Sequence, residues 1–204
     1  MPYPVDSSSA VREYAADIRQ SFEESRRVVE TITGDPSVVE ALAVAAAHCV
    51  TALQAGRKIL FAGNGGSAAD AQHLAGELVS RFNYDRPGLA AVALNTDTAI
   101  LTAIGNDYGY ERVFARQVEA IGVEGDVLVA ISTSGRSPNV LAAVAAARAR
   151  GIVTIALCGA GGPLAETCDV ALRMPSEQTP HIQEGHIIVG HTLCALIEQR
   201  MFPR

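Results

Sequence analysis

The sequence contains no tryptophan, and aromatic residues make up only 5% of its 204 positions. It therefore lacks the stacking platforms on which single-stranded nucleic acids are held. Basic clusters are missing as well. No run of Lys or Arg exceeds Arg26-Arg27, and the formal net charge is −6, which excludes the electrostatic footprint of a nucleic-acid binder. Uninterrupted apolar runs such as 41–47 are far too short to cross a bilayer. The first residues, MPYPVDSSSAVREYAADIRQ, carry no basic flank followed by an apolar stretch, so no secretory signal is read there. The four cysteines (Cys49, Cys158, Cys168, Cys194) never fall at CxxC spacing and sit in apolar surroundings. That pattern fits reduced, packed thiols rather than a disulfide framework or a cysteine metal site. The expectation is a cytoplasmic protein with neither a nucleic-acid nor a membrane partner.

What is present is apolar and periodic. Hydrophobic residues account for 49% and charged residues for 19%, the balance of a chain with a substantial core. No composition shift or repeat divides it, so residues 1–204 are read as a single domain. Within it, 1–7 form a loose tail, 8–55 N-terminal helices and 56–204 an α/β core ending in a long helix. Ser8 or Ser9 is placed to cap a helix over 10–32, whose apolar residues Tyr14, Ile18, Phe22, Val28, Val29 and Ile32 fall mostly at three- and four-residue steps. After the break at Gly34-Asp35-Pro36, the stretch 37–55 is apolar almost all round, which calls for partners on several sides. A subunit interface is the natural second partner.

The rhythm then changes. Short apolar runs at 58–62, 89–94, 126–131, 151–157 and 169–172 alternate with helical stretches to about 81, over 97–104, 110–120, 138–150 and 181–201. Continuous apolar strands alternating with helices predict an α/β three-layer sandwich around a five-stranded parallel sheet. Ligands in such sheets lie beyond the carboxyl ends of the strands.

Two turns occupy those ends. The first, Gly63-Asn64-Gly65-Gly66-Ser67-Ala68, formally fits G-x-G-x-x-A. A dinucleotide fold would close its second strand on an acidic residue, yet Leu94-Asn95 stands there. The turn thus speaks only for amides and a helix start that receive an anion or polar ligand. The second turn, Ser132-Thr133-Ser134-Gly135-Arg136-Ser137, sets four hydroxyl residues within six positions before a helix. That exceeds what a helix cap needs and reads as a phosphate cradle. Without a P-loop lysine, it suits a small phosphorylated substrate. His73 and Glu77 are four apart on the helix after the first turn and share a face, half of a zinc site or an ordinary surface pair. In the last helix, Glu184 and His191 are seven apart and share a face, whereas Gln183 lies about 80° round from His191. Spacing alone favours Glu184 as the partner of His191.

Four segments, GNGGSAADAQHLAGELVSRF, AIGNDYGYERVFARQVEAIG, GDVLVAISTSGRSPNVLAA and IQEGHIIVGHTLCALIE, occur in the order that resembles the sedoheptulose 7-phosphate isomerases, or phosphoheptose isomerases. The resemblance covers roughly 35–198. These are sugar isomerase (SIS) domain proteins with a flavodoxin-like sandwich. The resemblance implies a homotetramer that turns D-sedoheptulose 7-phosphate into D-glycero-D-manno-heptose 7-phosphate through an enediol, opening heptose precursor synthesis. It implies that Asn64, Gly65, Gly66, Asn106, Asp107, Ser132, Thr133, Ser134, Ser137, Glu77 and Gln183 contact substrate. It implies one Zn2+ per subunit on His73, Glu77, Gln183 and His191, with Glu77 and His191 also the acid/base pair. Here it overrules the preference for Glu184. Asp70, one turn before His73, is placed to orient that ring. His181, Asn95, Ala99 and Arg136 depart from the family pattern, which bears on substrate choice and not on the reaction. The alternative is a non-catalytic SIS-domain regulator resembling the DnaA-binding initiation factor. The combined HxxxE, STSG and IQExHxxxxH set favours the enzyme.

Overall fold

Fully apolar runs fold here as buried strands. Ile59–Gly63 (β1) and Val127–Ser132 (β3) are buried at every position. Val153–Cys158 (β4) and Val170–Arg173 (β5) follow on one side, and Ala91–Ala93 (β2) lies at the opposite edge. The computed structural model describes residues 9–204; the expected tail, 1–7, and Ser8 lie outside the described residues. The sheet runs β2-β1-β3-β4-β5 with every pairing parallel. The chain leaves β1 in one direction to form β2, and β3 lies on β1's other side. The strand order therefore reverses between β1 and β3, and a crevice opens beyond their carboxyl ends. Gly63 pairs with Ile131 at that point, so the glycine turn and the serine turn emerge side by side.

Alternation along each strand makes two cores. Ile59, Phe61, Val129, Ile131 and Leu157 face one layer. That layer holds Ser9–Gly34 (α1), Pro36–Gln54 (α2), Gly66–Val79 (α3) and Thr179–Met201 (α8). Leu60, Ala62, Leu128, Ala130 and Ala156 face the other, which holds Ala115–Ile121 (α5), Pro138–Arg148 (α6) and Pro163–Thr167 (α7). Thr98–Tyr108 (α4) borders this second layer and buries no residue of its own fully. Each buried Leu or Ile contributes about 1.5–3 kcal/mol.

Glycines let α8 approach its neighbours. A Cβ at Gly190 would stand 2.8 Å from Leu74 Cδ2 on α3, and one at Gly185 would stand 2.6 Å from Met174 Sδ. The close α3–α8 crossing at Gly190 carries His191 toward His73. α2 is long and apolar enough to cross a membrane by length and composition. Its buried residues, including Ala45, Cys49 and Leu53, pack instead in the core under the sheet. Its other face leaves Val39 and Val44 exposed.

Several boundaries differ from the sequence reading. The second strand shrinks to three residues, partly because Leu89 N–H donates to the Leu78 carbonyl on α3. The helix expected over 97–104 continues to Tyr108 and stops at Gly109, whose φ is 86°. The helix expected over 110–120 divides into a 3-10 turn, Tyr110–Arg112, and α5. The short α7 was not anticipated.

One buried residue makes the fold acid-sensitive. His186 on α8 is wholly buried, and neither ring nitrogen has a hydrogen-bond partner. Burial pushes its pKa down to about 4. Unfolding restores an ordinary imidazole near 6.5, so between those values the unfolded chain binds the extra proton. Stability is therefore full above pH 6.5 and falls as the pH drops toward 4, by up to about 1.4 kcal/mol per pH unit from this group. Thermal melts at pH 7, 6 and 5 should show a shallower decline for His186→Phe than for the parent chain. Equal declines would refute the assignment.

Candidate active site

The serine turn gains its shape from hydrogen bonds within and below it. Gly135 N–H donates to the Ser132 carbonyl, and its φ of 63° turns the chain into α6. The Ser132 and Ser137 hydroxyls are 3.0 Å apart. Arg136 N–H donates to Ser134 Oγ at 3.2 Å. Gly159 N–H, at the end of β4, donates to the Thr133 carbonyl. The cleft beside the turn is lined by Thr133, Ser134, Arg136, Ser176 and Thr179, among others. Hydroxyls and one guanidinium, with the carboxylate of Glu177 beside them, line a cleft next to the turn that leads into α6, where a phosphate can be received.

The glycine turn is set differently. Gly65 has φ 55°, and a Cβ on Gly66 would collide with Gln183 Nε2. Gly66 is therefore the residue that lets the Gln183 amide lie against the first turn of α3. Asn64 is half-buried and exchanges hydrogen bonds with Asn139 on α6.

Seven and eleven residues along α3 from Gly66, His73 and Glu77 reach the face of α8 that carries His191. Their donor atoms all lie within 4.8 Å of one another. His73 Nε2 and His191 Nε2 are 2.6 Å apart, and Glu77 Oε1 is 3.5 Å from His73 Nε2. Two neutral imidazoles do not face each other nitrogen to nitrogen at that distance without a proton or cation between them. A set of two imidazoles and a carboxylate is the donor chemistry that zinc takes, and these residues fit it. The group is open to solvent: the His73 side chain is 44% exposed and that of Glu77 23%.

Glu184, which spacing alone paired with His191, is turned to α1. Its Oε2 lies 3.2 Å from His181 Nδ1, and His181 also meets Ser25 and Glu24 of α1. Glu184 and then Glu24 hold the His181 ring above the usual imidazole range against the opposing effect of burial. Asp70 does not orient His73 by a hydrogen bond: its Oδ2 is buried without a partner, and burial pushes its pKa up to about 6. Asn106 and Asp107 end α4 exposed, with Asn106 Nδ2 donating to Asp107 Oδ1 at 2.8 Å.

The sequence reading missed several supports of this site. The Phe82 ring packs 5.4 Å from that of His191. Glu198 is wholly buried and accepts from Phe82 N–H, Asn83 N–H and Arg86 Nε. Burial pushes its carboxyl up, but these donors outweigh burial and hold it below the usual carboxylate range. Arg86 in turn donates to the carbonyls of Glu77, Leu78 and Ser80, which secures the end of α3. Tyr110 OH donates to Asn64 Oδ1 at 3.1 Å. Among the described residues, no other cluster of His, Cys, Asp and Glu gathers three metal-ligand atoms.

Residues 20–159 match the family model of the SIS domain. The chain is 54% identical over 186 residues to the phosphoheptose isomerase of Burkholderia pseudomallei, covering 91% of this chain and 94% of that protein. Among solved structures it is similar to a phosphoheptose isomerase from Neisseria gonorrhoeae, with 44% identity, a TM-score of 0.81, and coverage of 94% of this chain and 100% of that one. It is also similar to a phosphoheptose isomerase from Francisella tularensis, with 41% identity, a TM-score of 0.86, and coverage of 91% and 98%.

Proposed function

The chain belongs to the phosphoheptose isomerases of the SIS-domain family, and from that premise we propose that it interconverts D-sedoheptulose 7-phosphate and D-glycero-D-manno-heptose 7-phosphate. The observation that carries the reading is the combination of a hydroxyl-rich turn at the carboxyl end of β3 with a His-Glu-His group on α8 and on α3, the helix that leaves the neighbouring strand β1. A regulatory SIS-domain protein has no need of the second feature, and the relatives at about half identity bear the name of an isomerase.

The reaction moves one carbon-bound proton from C1 to C2 and one hydroxyl proton from O1 to O2. Glu77 is the carboxylate that takes the C1 proton, leaves an enediolate, and returns the proton to C2. His191, beside it, carries the proton between the two oxygens. The Ser132, Thr133, Ser134 and Ser137 turn holds the phosphate at the far end of the sugar. Asn64, Gly65, Gly66, Gln183, Asn106 and Asp107 surround the carbon chain. His73, Glu77 and His191, with Gln183 as fourth ligand, would hold one zinc ion per subunit. Bound there, zinc would supply Lewis-acid polarisation of the sugar carbonyl. Incubating the purified protein with sedoheptulose 7-phosphate, before chelation, after it and after zinc is restored, tests this reading. Formation of the aldose that falls on chelation and returns with zinc is expected; no aldose under any condition would refute it.

The phosphate turn has its own test. The double variant Ser132→Ala, Ser134→Ala should raise KM for the sugar phosphate by about tenfold or more, since hydrogen bonds to a charged group are worth about 1.5–3 kcal/mol each. An unchanged KM would show that phosphate sits elsewhere.

The protein acts as a homotetramer in the cytoplasm in this reading. Val39 and Val44 on α2, with Tyr14, Ile18 and Phe22 on α1, stay exposed in the single chain, and apolar faces of this kind call for a partner surface. Light scattering should give four chains at micromolar concentration; a monomer would contradict it.

A further inference from the structure

We propose that the reciprocal amide pair between Asn64 and Asn139 is the ruler that sets the distance between the phosphate turn and the His-Glu-His group, and thereby the length of sugar phosphate the enzyme turns over. The proposal rests on the isomerase reading above. It concerns Asn139, a positioning residue that need not touch the substrate.

The geometry is that of a two-bond clamp. Asn64 Nδ2 donates to Asn139 Oδ1 at 2.9 Å, and Asn139 Nδ2 donates back to Asn64 Oδ1 at 2.9 Å. The orientation of each amide is set by a third partner. Val140 N–H donates to Asn139 Oδ1 at 3.0 Å, so the amino group of Asn139 must point at Asn64. The amino group of Asn139 needs an acceptor, which makes the facing atom of Asn64 its oxygen, and Tyr110 OH donates to the same atom. Asn139 is only 3% exposed. A buried amide without its partner would cost about 1–3 kcal/mol, which keeps the pair closed.

The two residues stand on the two halves of the site. Asn139 follows Pro138 in the first turn of α6, directly after the serine turn that receives the phosphate. Asn64 lies between β1 and α3, the helix that carries His73 and Glu77. Beneath them, β1 and β3 are joined by their ladder as far as Gly63 and Ile131. Above that pair, the backbone-to-backbone ladder between these strands ends, and the amide pair bridges the two turns. Other bonds within the serine turn do not reach α3: Ser132 meets Ser137, and Arg136 meets Ser134.

A sugar phosphate isomerised at C1 and C2 and held by its terminal phosphate must span from the serine turn to Glu77 on α3. A ketose one carbon shorter, seated by its phosphate, presents C1 short of Glu77. Loosening the span should therefore cost turnover of the matched sugar and relax rejection of the shorter one, while each half of the site keeps its own contacts.

The test compares the parent enzyme with Asn139→Ala and Asn139→Ser on sedoheptulose 7-phosphate and fructose 6-phosphate. Asn139→Ser retains an oxygen near Val140 N–H and loses the bridge. The parent should prefer the seven-carbon sugar. In both variants the ratio of kcat/KM between the two sugars should fall about tenfold, the low end of what one chain carbon is worth in discrimination. The loss on the seven-carbon sugar should be in kcat, with KM within about threefold, because the phosphate turn is intact. A variant that is merely less folded loses activity on both sugars alike and leaves the ratio unmoved. An unchanged ratio in a folded variant overturns the proposal. So does failure of both variants to fold, which would make the pair a part of the core, and so does a parent enzyme that turns over both sugars equally. A parent enzyme inactive on both sugars instead refutes the isomerase reading on which the proposal stands.

Discussion

Glu77→Gln is expected to lower kcat by two or more orders of magnitude while leaving sugar-phosphate binding nearly unchanged. Glu77 sits on α3 one turn from His73, on the face turned to His191, so an amide in its place keeps the shape of the site. It removes the group that accepts a carbon-bound proton, a contribution of about 100- to 10,000-fold. Phosphate affinity resides in the turn at 132–137, at the end of another strand, and should survive. His73→Gln removes a ligand and leaves the carboxylate, so metal content of the purified protein should fall while the group that accepts the carbon-bound proton remains. Single-turnover kinetics and equilibrium binding of the sugar phosphate decide the first point. A Glu77→Gln enzyme with near-parental turnover would place the base on another residue.

Glu198→Ala is expected to destabilise the fold by about 3–5 kcal/mol, the cost of removing one partner from a buried ion pair. Glu198 is wholly buried and the Arg86 side chain is 2% exposed. Without the carboxylate, the guanidinium stays in the interior with only backbone carbonyls for partners, and the N–H groups of Phe82 and Asn83 lose their acceptor. For a chain of this size the melting temperature should drop by about 10 °C. Activity at low temperature should fall too, since the Phe82 ring against His191 and the Glu77 carbonyl both hang on this network. Glu198→Gln, which keeps an acceptor and the shape, should lose less. A melting temperature within about 2 °C of the parent for Glu198→Ala would show that the pair contributes no net stability, as isosteric replacement of buried pairs sometimes finds.

These two residues mark where the sequence is legible and where it is not. Glu77 was readable because its partner His73 lies four residues away on the same helix, and a helix converts that spacing into a shared face. The serine turn was readable for the same reason: a strand, four hydroxyl residues and a helix start are consecutive in the chain. The parallel sheet followed from strands apolar at every position, a pattern that only two-sided burial explains. Glu198 and Arg86 are 112 residues apart, and Asn64 and Asn139 are 75 apart. Nothing in the local pattern of either names its partner, since the fold alone brings them together. The choice between Gln183 and Glu184 shows the limit from the other side. Ideal helical spacing selected Glu184, but α1 packs over that face of α8 and engages Glu184 through His181. The neighbouring Gln183 lies against Gly66, where the missing Cβ makes room for it. Edge strand β2 was overestimated because hydropathy cannot report that α3 claims the Leu89 N–H.

In the proposed reaction a solvent-open carboxylate moves a carbon-bound proton between C1 and C2. Its most direct test is conversion of sedoheptulose 7-phosphate in deuterium oxide, followed by NMR of the sugar. Because the Glu77 side chain is 23% exposed, a proton held there exchanges with solvent, and an aldose 7-phosphate that carries deuterium at C2 is expected. An aldose with only protium at C2, the outcome of a direct hydride shift, or no aldose at all, would contradict it.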